Sequence, residues 1–382
     1  MSNIASQLQN SLPQQNRPFG PFCRPAAKSY SLEYVLGGGV RVALRPRQTD
    51  PKSSIFLGRG VLQLALASVS ESAWQTIIDR YPKASLRILL SGSSGFIGSH
   101  FKLFLKIAGH EVVPLVRKRE DLRENTIFWD PIHGFVQKED FEGFDAVIHL
   151  AGAGIATGRW TKHKKEQLFL SRCRDTWLLS QLLCRLHRPP KTLLCASAVG
   201  FYGDRGEEEL TEDSSQGTGF LAELCGKWEK ATDAIESRGT RVIHARFGVV
   251  LDSTGGMLKK LLLPFRLGLG GRMGNGRQWV SWIAIDDLLG AAYHCLMREE
   301  IGGPVNFSSP LPLTQAEFVH ILAKKLHRPA FCHLPAWALK ALFGEMAKET
   351  ILSSQKVKPE KLLKTGYVFR YPDLKSALDF VL

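Results

Sequence analysis

Ser91-Gly92-Ser93-Ser94-Gly95-Phe96-Ile97-Gly98 follows the apolar run Ile88 to Leu90 and leads into sequence with helical spacing. A turn of this composition passes from a buried strand into a helix very tightly. A Cβ there would block either a positive φ or the close approach of strand, helix and phosphate. The first-turn amides of the helix have no partner inside it, so they suit an anion such as a pyrophosphate. Glu111 to Val116 forms a second apolar run and completes a βαβ unit of the expected size. The segment therefore predicts a dinucleotide site opening at Gly92, Gly95 and Gly98.

Further apolar runs, Ala146 to Leu150, Leu193 to Ala196 and Val242 to Ala245, alternate with segments long enough for helices. Near-continuous apolar strands are the mark of a sheet covered on both faces, so the expected fold is α/β, a Rossmann doubly wound parallel sheet. Its domain is expected over 85–300. After Gly302 the alternation fades, and a smaller helix-rich C-terminal domain is expected over 301–382, with a substrate lobe that also uses about 256–282. Residues 1–29, with Pro13, Pro18, Pro21 and Pro25, predict a disordered leader. Residues 30–84 form an extension, in which Tyr30 to Leu44 reads as two short strands around Gly37-Gly38-Gly39 and Gly60 to Tyr81 as a helix ended by Pro82.

The residue closing the second strand selects the cofactor, because the ribose diol of NAD needs a carboxylate there and the 2′-phosphate of NADP a cation. That residue is Arg117, followed by Lys118 and Arg119, with carboxylates only at Glu120 and Asp121. NADP(H) is the predicted cofactor. The net charge of +14 is carried without long runs of like sign, so it predicts a solvated basic surface and no nucleic-acid partner. The apolar stretch Val61 to Val69 is too short for a membrane span. Seven scattered cysteines, with no C-x-x-C pair, predict no metal site and a reducing compartment. A cytoplasmic location is expected, with an organelle stroma or matrix left open because no acidic residue precedes Glu33.

Several words of the sequence carry a family resemblance: His149-Leu150-Ala151-Gly152, Gly158-Arg159-Trp160-Thr161, Ser171-Arg172, Ser197 to Gly203, Gly268 to Gly276, Ser281-Trp282-Ile283 and Phe343-Gly344-Glu345. With the glycine turn, they resemble the extended short-chain dehydrogenases, and within them the YfcH-like branch of the NAD-dependent epimerase/dehydratase family, including its C-terminal domain. The resemblance implies cofactor contacts at Gly92, Ser93, Ser94, Gly95, Phe96, Ile97, Gly98, Arg117, Leu150, Ala151 and Gly152, with the adenine near Trp129-Asp130. Some family members carry a START-like lipid-binding domain upstream, and residues 30–84 resemble a remnant of it.

The superfamily's proton chemistry uses a tyrosine and, four residues later, a lysine. Taking Glu229 as the glutamate that follows this pair places Leu221 and Cys225 at the two positions. Ser197 and Tyr202 are then the candidate catalytic groups. Arg159 and Trp160, beyond the fourth strand, and Asn275, in the glycine-rich basic loop, are the candidate substrate contacts, suited to an anionic or nucleotide-linked small molecule. Two activities stay open: an NADP(H)-dependent oxidoreductase or epimerase with an unusual proton donor, and a catalytically weak NADP(H)-binding regulatory or scaffold protein. A homodimer is also left open.

Overall fold

A computed structural model describes residues 32–36, 40–44, 74–131 and 137–382. The chain divides into two units, 1–65 and 66–382. In the first, Leu32–Leu36 and Val40–Leu44 pair antiparallel, the two expected short strands. The expected leader lies outside the described residues, as does most of the expected 60–81 helix, of which residues 74–78 are helical.

The second unit is built on a seven-stranded sheet. Its strands are β1 (Arg87–Ser91), β2 (Glu111–Val116), β3 (Ile127–Phe128), β4 (Ala146–His149), β5 (Thr192–Ala198), β6 (Arg241–Phe247) and β7 (Gly303–Phe307). They lie in the order β7-β6-β5-β4-β1-β2-β3, all parallel. The order reverses between β1 and β4, which opens a crevice beyond their carboxyl ends.

Helices cover both faces because the central strands are apolar on both sides. Phe101, Phe104 and Leu105 of α1 (Phe96–Ile107) bury against one face with Trp74, Ile77 and Ile78. On the other face α2 (Lys162–Phe169) passes through a π-helical turn, Leu170–Arg174, into α3 (Asp175–Cys184), and α4 (Phe220–Lys230) packs beside them. Leu168, Leu179, Leu183, Leu224 and Trp228 form that core. A third core joins α5 (Gly256–Arg266) to α7 (Gln315–Lys325) and the last helix, α9 (Leu374–Val381), while α6 (Ile285–Met297) returns to the α1 face. Between α7 and α9, α8 (Ala336–Phe343) opens the helix-rich C-terminal segment.

The sheet extends past the expected boundary at residue 300. β7 pairs with β6 from Gly303 opposite Ile243 to Phe307 opposite Phe247. Pro304 and Asn306 hid it, yet β7 is an edge strand, where proline is tolerated.

Candidate functional site

The glycine turn has the geometry its sequence demands. Gly92 sits at φ +70°, and a Cβ there would come within 2.9 Å of the Leu150 carbonyl carbon and 3.0 Å of the Ala151 nitrogen. A Cβ on Gly98 would fall 2.1 Å from the Gly92 carbonyl oxygen, so α1 is pressed directly against the turn. Gly95 donates its amide to that same oxygen at 2.9 Å. No side chain caps α1, and its first turn holds no carboxylate, so its orphan amides keep their positive end for an anion. Ser94 and Gly95 are exposed in front of it, with Ser93 and Ile97 half-buried behind. Phe96 is wedged against Gly255 and Gly256, at the start of α5.

A buried polar chain holds the opposite wall of the crevice. Ser91 Oγ lies 2.7 Å from His149 Nδ1 and accepts the amides of Leu150 (3.1 Å) and Ala151 (3.3 Å). His149 Nε2 is 3.0 Å from Thr176 Oγ1, which also accepts the Trp228 indole N–H. The network joins β1, β4, α3 and α4 behind the loop that carries Leu150, Ala151 and the exposed Gly152. Burial lowers the His149 pKa to about 4, so the ring is neutral.

Arg117 and Lys118 are exposed beyond β2, free to meet a ligand phosphate, while Arg119 stacks on Phe128 at 4.9 Å. Trp129, expected near an adenine, is instead 3 % exposed in the core, its ring in a T-shaped contact with that of His149 at 6.4 Å. Asp130, half-buried, is the residue of that pair nearer the surface.

The helix at the dyad position is apolar on its inner face. Leu221 and Cys225 are buried, and burial pushes the Cys225 thiol up to about 12. The two amides opening α4, Phe220 N and Leu221 N, donate to Glu349 at 3.1 and 2.8 Å, so a carboxylate from the C-terminal segment caps this helix. Tyr202 departs from its expected role. Its side chain is completely buried, its hydroxyl donates to Asn306 Oδ1 at 2.7 Å and accepts from Arg246 Nη1 at 2.9 Å, and burial pushes it up to about 12. A hydroxyl closed in this way reaches no ligand; Tyr202 anchors β6 and β7. Ser197 is 3 % exposed and donates to Glu229 Oε1 at 2.7 Å, in the group where Arg246 grips both Glu229 oxygens.

Arg172, named in the sequence only within the family word Ser171-Arg172, was given no role there. It rides the π-helical turn, a distortion often found at functional sites. Its guanidinium stacks over the Trp228 ring at 5.2 Å, and a Cβ on Gly152 would lie 3.4 Å from its central carbon. Cys173 Sγ contacts the Leu224 carbonyl at 3.7 Å, which fixes the turn against α4 beside Cys225. Arg172 Nη1 is buried with no hydrogen-bond acceptor, and burial depresses its pKa. A cation thus stands between the Gly152 loop and the helix whose expected lysine position holds a thiol.

The expected substrate contacts separate. Trp160 is buried, donates to the Ile155 carbonyl at 2.9 Å and meets Phe220 edge-on, so it fastens the loop and is not offered to a ligand. Arg159 is exposed, with its guanidinium 3.5 Å from where a Gly344 Cβ would be. Asn275 is exposed but accepts the Arg277 amide in a turn. The glycine-rich loop is tied to the C-terminal segment: Cys332 N donates to Gly270 O, Leu334 N to Arg272 O and Gly274 N to Leu334 O. Its Arg272 and Arg277 are exposed. Among the described residues no cluster of three or more His, Cys, Asp or Glu is placed to hold a metal, and no helix is long and apolar enough to cross a membrane.

A parallel sheet with its order reversed at β1 and β4, and an uncapped helix behind a glycine turn at that point, defines a dinucleotide-binding Rossmann-fold protein of the short-chain dehydrogenase type. The profile of the NAD dependent epimerase/dehydratase family matches residues 88–307, and the chain belongs to that family. Residues 334–381 match a domain of unknown function, DUF1731. The epimerase family protein Mb2239 of Mycobacterium bovis is 38 % identical over 297 residues, 78 % of this chain and 98 % of that protein. Human epimerase family protein SDR39U1, solved with NADPH, is 35 % identical with a TM-score of 0.71, covering 78 % of this chain and 99 % of its own. A nucleoside-diphosphate sugar epimerase from Corynebacterium glutamicum is 32 % identical with a TM-score of 0.67, covering 92 % of this chain and 70 % of its own.

Proposed function

We propose that this chain is an NADP(H)-dependent oxidoreductase of the epimerase family in which Arg172 takes over the electrostatic part of the missing lysine. The observation that carries the reading is the buried, unpaired Nη1 of Arg172 between the Gly152 loop and α4. A half-buried guanidinium with one N–H group shut away from water and unanswered is costly, and an anionic or electron-rich group bound beside it would relieve that cost. NADP(H) fits the donor set: the amides of α1 for the pyrophosphate, Arg117 for the 2′-phosphate, and the Leu150–Gly152 loop for the nicotinamide half. When bound, this cofactor would supply or accept the hydride. The protein's own residues orient it, and the fixed neutral His149 keeps the loop in register. SDR39U1, solved with NADPH, supports the same cofactor here. The substrate's anionic or nucleotide-linked end is assigned to the exposed Arg159, Arg272 and Arg277.

Arg172→Met and Arg172→Lys test the reading. The methionine variant should bind NADPH at least tenfold more weakly, equivalent to about 1.4 kcal/mol, and the lysine variant should recover part of the loss. Equal affinities for all three proteins, with intact folds, would refute it. Buried Leu221 and Cys225 favour the second reading, a binding protein that turns over little. If Leu221→Tyr with Cys225→Lys creates turnover that the natural chain lacks, the second reading prevails.

A further inference from the structure

A cavity of about 140 Å³ lies between α5, the glycine-rich loop, α7 and the Thr350-Ile351 segment. Its walls are apolar, with Met257, Leu261, Phe265, Phe318 and Val319 among them. Two polar side chains, Gln315 and Thr350, break this surface. Gln315 is 3 % exposed, and its Oε1 is committed to the Met273 amide at 3.1 Å. Its amide nitrogen is buried and meets no acceptor. The neighbouring Gln278 spends its amide on the Met273 and Ile351 carbonyls, and Thr350 donates to the Met346 carbonyl, so neither answers Gln315.

Buried donors in folded proteins are almost always paired, and a lone one in an apolar hollow points to a partner that arrives from outside. Water answers it poorly, because a buried water needs two to four polar neighbours and this cavity offers few. An apolar cavity of roughly 150 Å³ holds a benzene ring. Leu269 and Leu334, 60 % and 45 % exposed, form an apolar lip, and the exposed Arg272 sits between the lining residues Gly271 and Met273. The position adjoins the site above: Val249 of the wall follows β6 by two residues, and Thr350 follows the Glu349 that caps α4.

We infer that this cavity is a subsite for an apolar, ring-sized group bearing one hydrogen-bond acceptor, which Gln315 recognises. The substrate is then an aryl, cyclic or acyl compound with an anionic end at Arg272, and its reacting part is not a polyhydroxylated hexose. Six-membered sugars would bring several hydroxyls into walls that satisfy one. The inference rests on the proposed function in taking this lobe as the substrate side.

Acetophenone and α-methylstyrene have nearly the same shape and differ in a carbonyl oxygen against a methylene. Saturation-transfer NMR on the full chain, with and without NADPH, should show acetophenone binding at least fivefold more tightly. Gln315→Met should erase that preference, and Leu261→Phe, which fills the cavity, should weaken both probes. Equal binding of the two probes to the natural chain, no binding of either, or displacement of acetophenone by UDP-glucose would overturn the subsite. NADPH titration of the same samples keeps the two ideas apart: ketone recognition without NADPH binding sinks the cofactor reading alone, and NADPH binding without ketone recognition sinks this one.

Discussion

His149→Gln isolates the polar chain behind the cofactor loop. His149 is fully buried, and burial lowers its pKa to about 4 from an ordinary 6.5. A base whose folded pKa is depressed binds its proton mainly in the unfolded chain, so its contribution to stability is complete above pH 6.5 and is lost as the pH falls toward 4. A shift of this size amounts to about 3 kcal/mol in full, and about 2 kcal/mol of it is gone by pH 5. That is a sizeable part of the 5–15 kcal/mol that holds a typical domain folded. Other groups shift on folding as well: burial lowers His110, His244 and His294 and raises Glu212, so the whole-protein curve mixes signs. The difference between natural chain and variant removes them. Glutamine keeps a donor and an acceptor for Ser91 and Thr176 but does not titrate. Urea unfolding at pH 8 and pH 5 should show the natural chain losing about 2 kcal/mol more than His149→Gln. Parallel losses would mean that the ring is not buried as a neutral group, and the wall of the crevice would need another explanation.

Asp286 acts in the opposite sense. Burial raises its pKa to about 6, so it binds its proton mainly in the folded state and the natural chain loses stability as pH rises from about 4 through 6. Asp286→Asn should flatten that limb by roughly 3 kcal/mol in the same unfolding series. Glu349→Ala removes both hydrogen bonds that cap α4 and should lower stability by about 1–2 kcal/mol, read as a fall in Tm. Glu349→Gln should recover part of it, because its amide oxygen still accepts one of the two amides.

What the sequence disclosed was what covalent geometry dictates. Gly92 and Gly98 have no substitute where a Cβ would enter the Leu150 and Gly92 backbones, so the turn was legible from residue types alone. The β1, β2, β4, β5 and β6 strands were legible because burial on both faces gives each a short, mostly apolar central run. β7 was not, since an edge strand can carry Pro304 and Asn306 when the asparagine finds partners in Tyr202 and the Lys358 carbonyl. Tyr202 and Trp160 were misplaced for a common reason: position in the chain gives a residue's neighbourhood but not the direction of its side chain. Both turn inward onto partners far away in sequence or on the other side of their own loop. Arg172 left a signal that was not used. It lies four residues after the buried Leu168 and four before the buried Thr176, so helical spacing sets a cation on an inward face. The Gln315 cavity left none, because it is assembled from separate segments between Val249 and Ile351.

Calorimetric titration of the full chain with NADPH and with NADH is the most direct test of the central claim. The exposed Arg117 beyond β2 predicts NADPH binding at least tenfold tighter, about 1.4 kcal/mol, with most of that preference removed in Arg117→Ala. Equal affinity for the two cofactors, or a preference for NADH, would contradict the account.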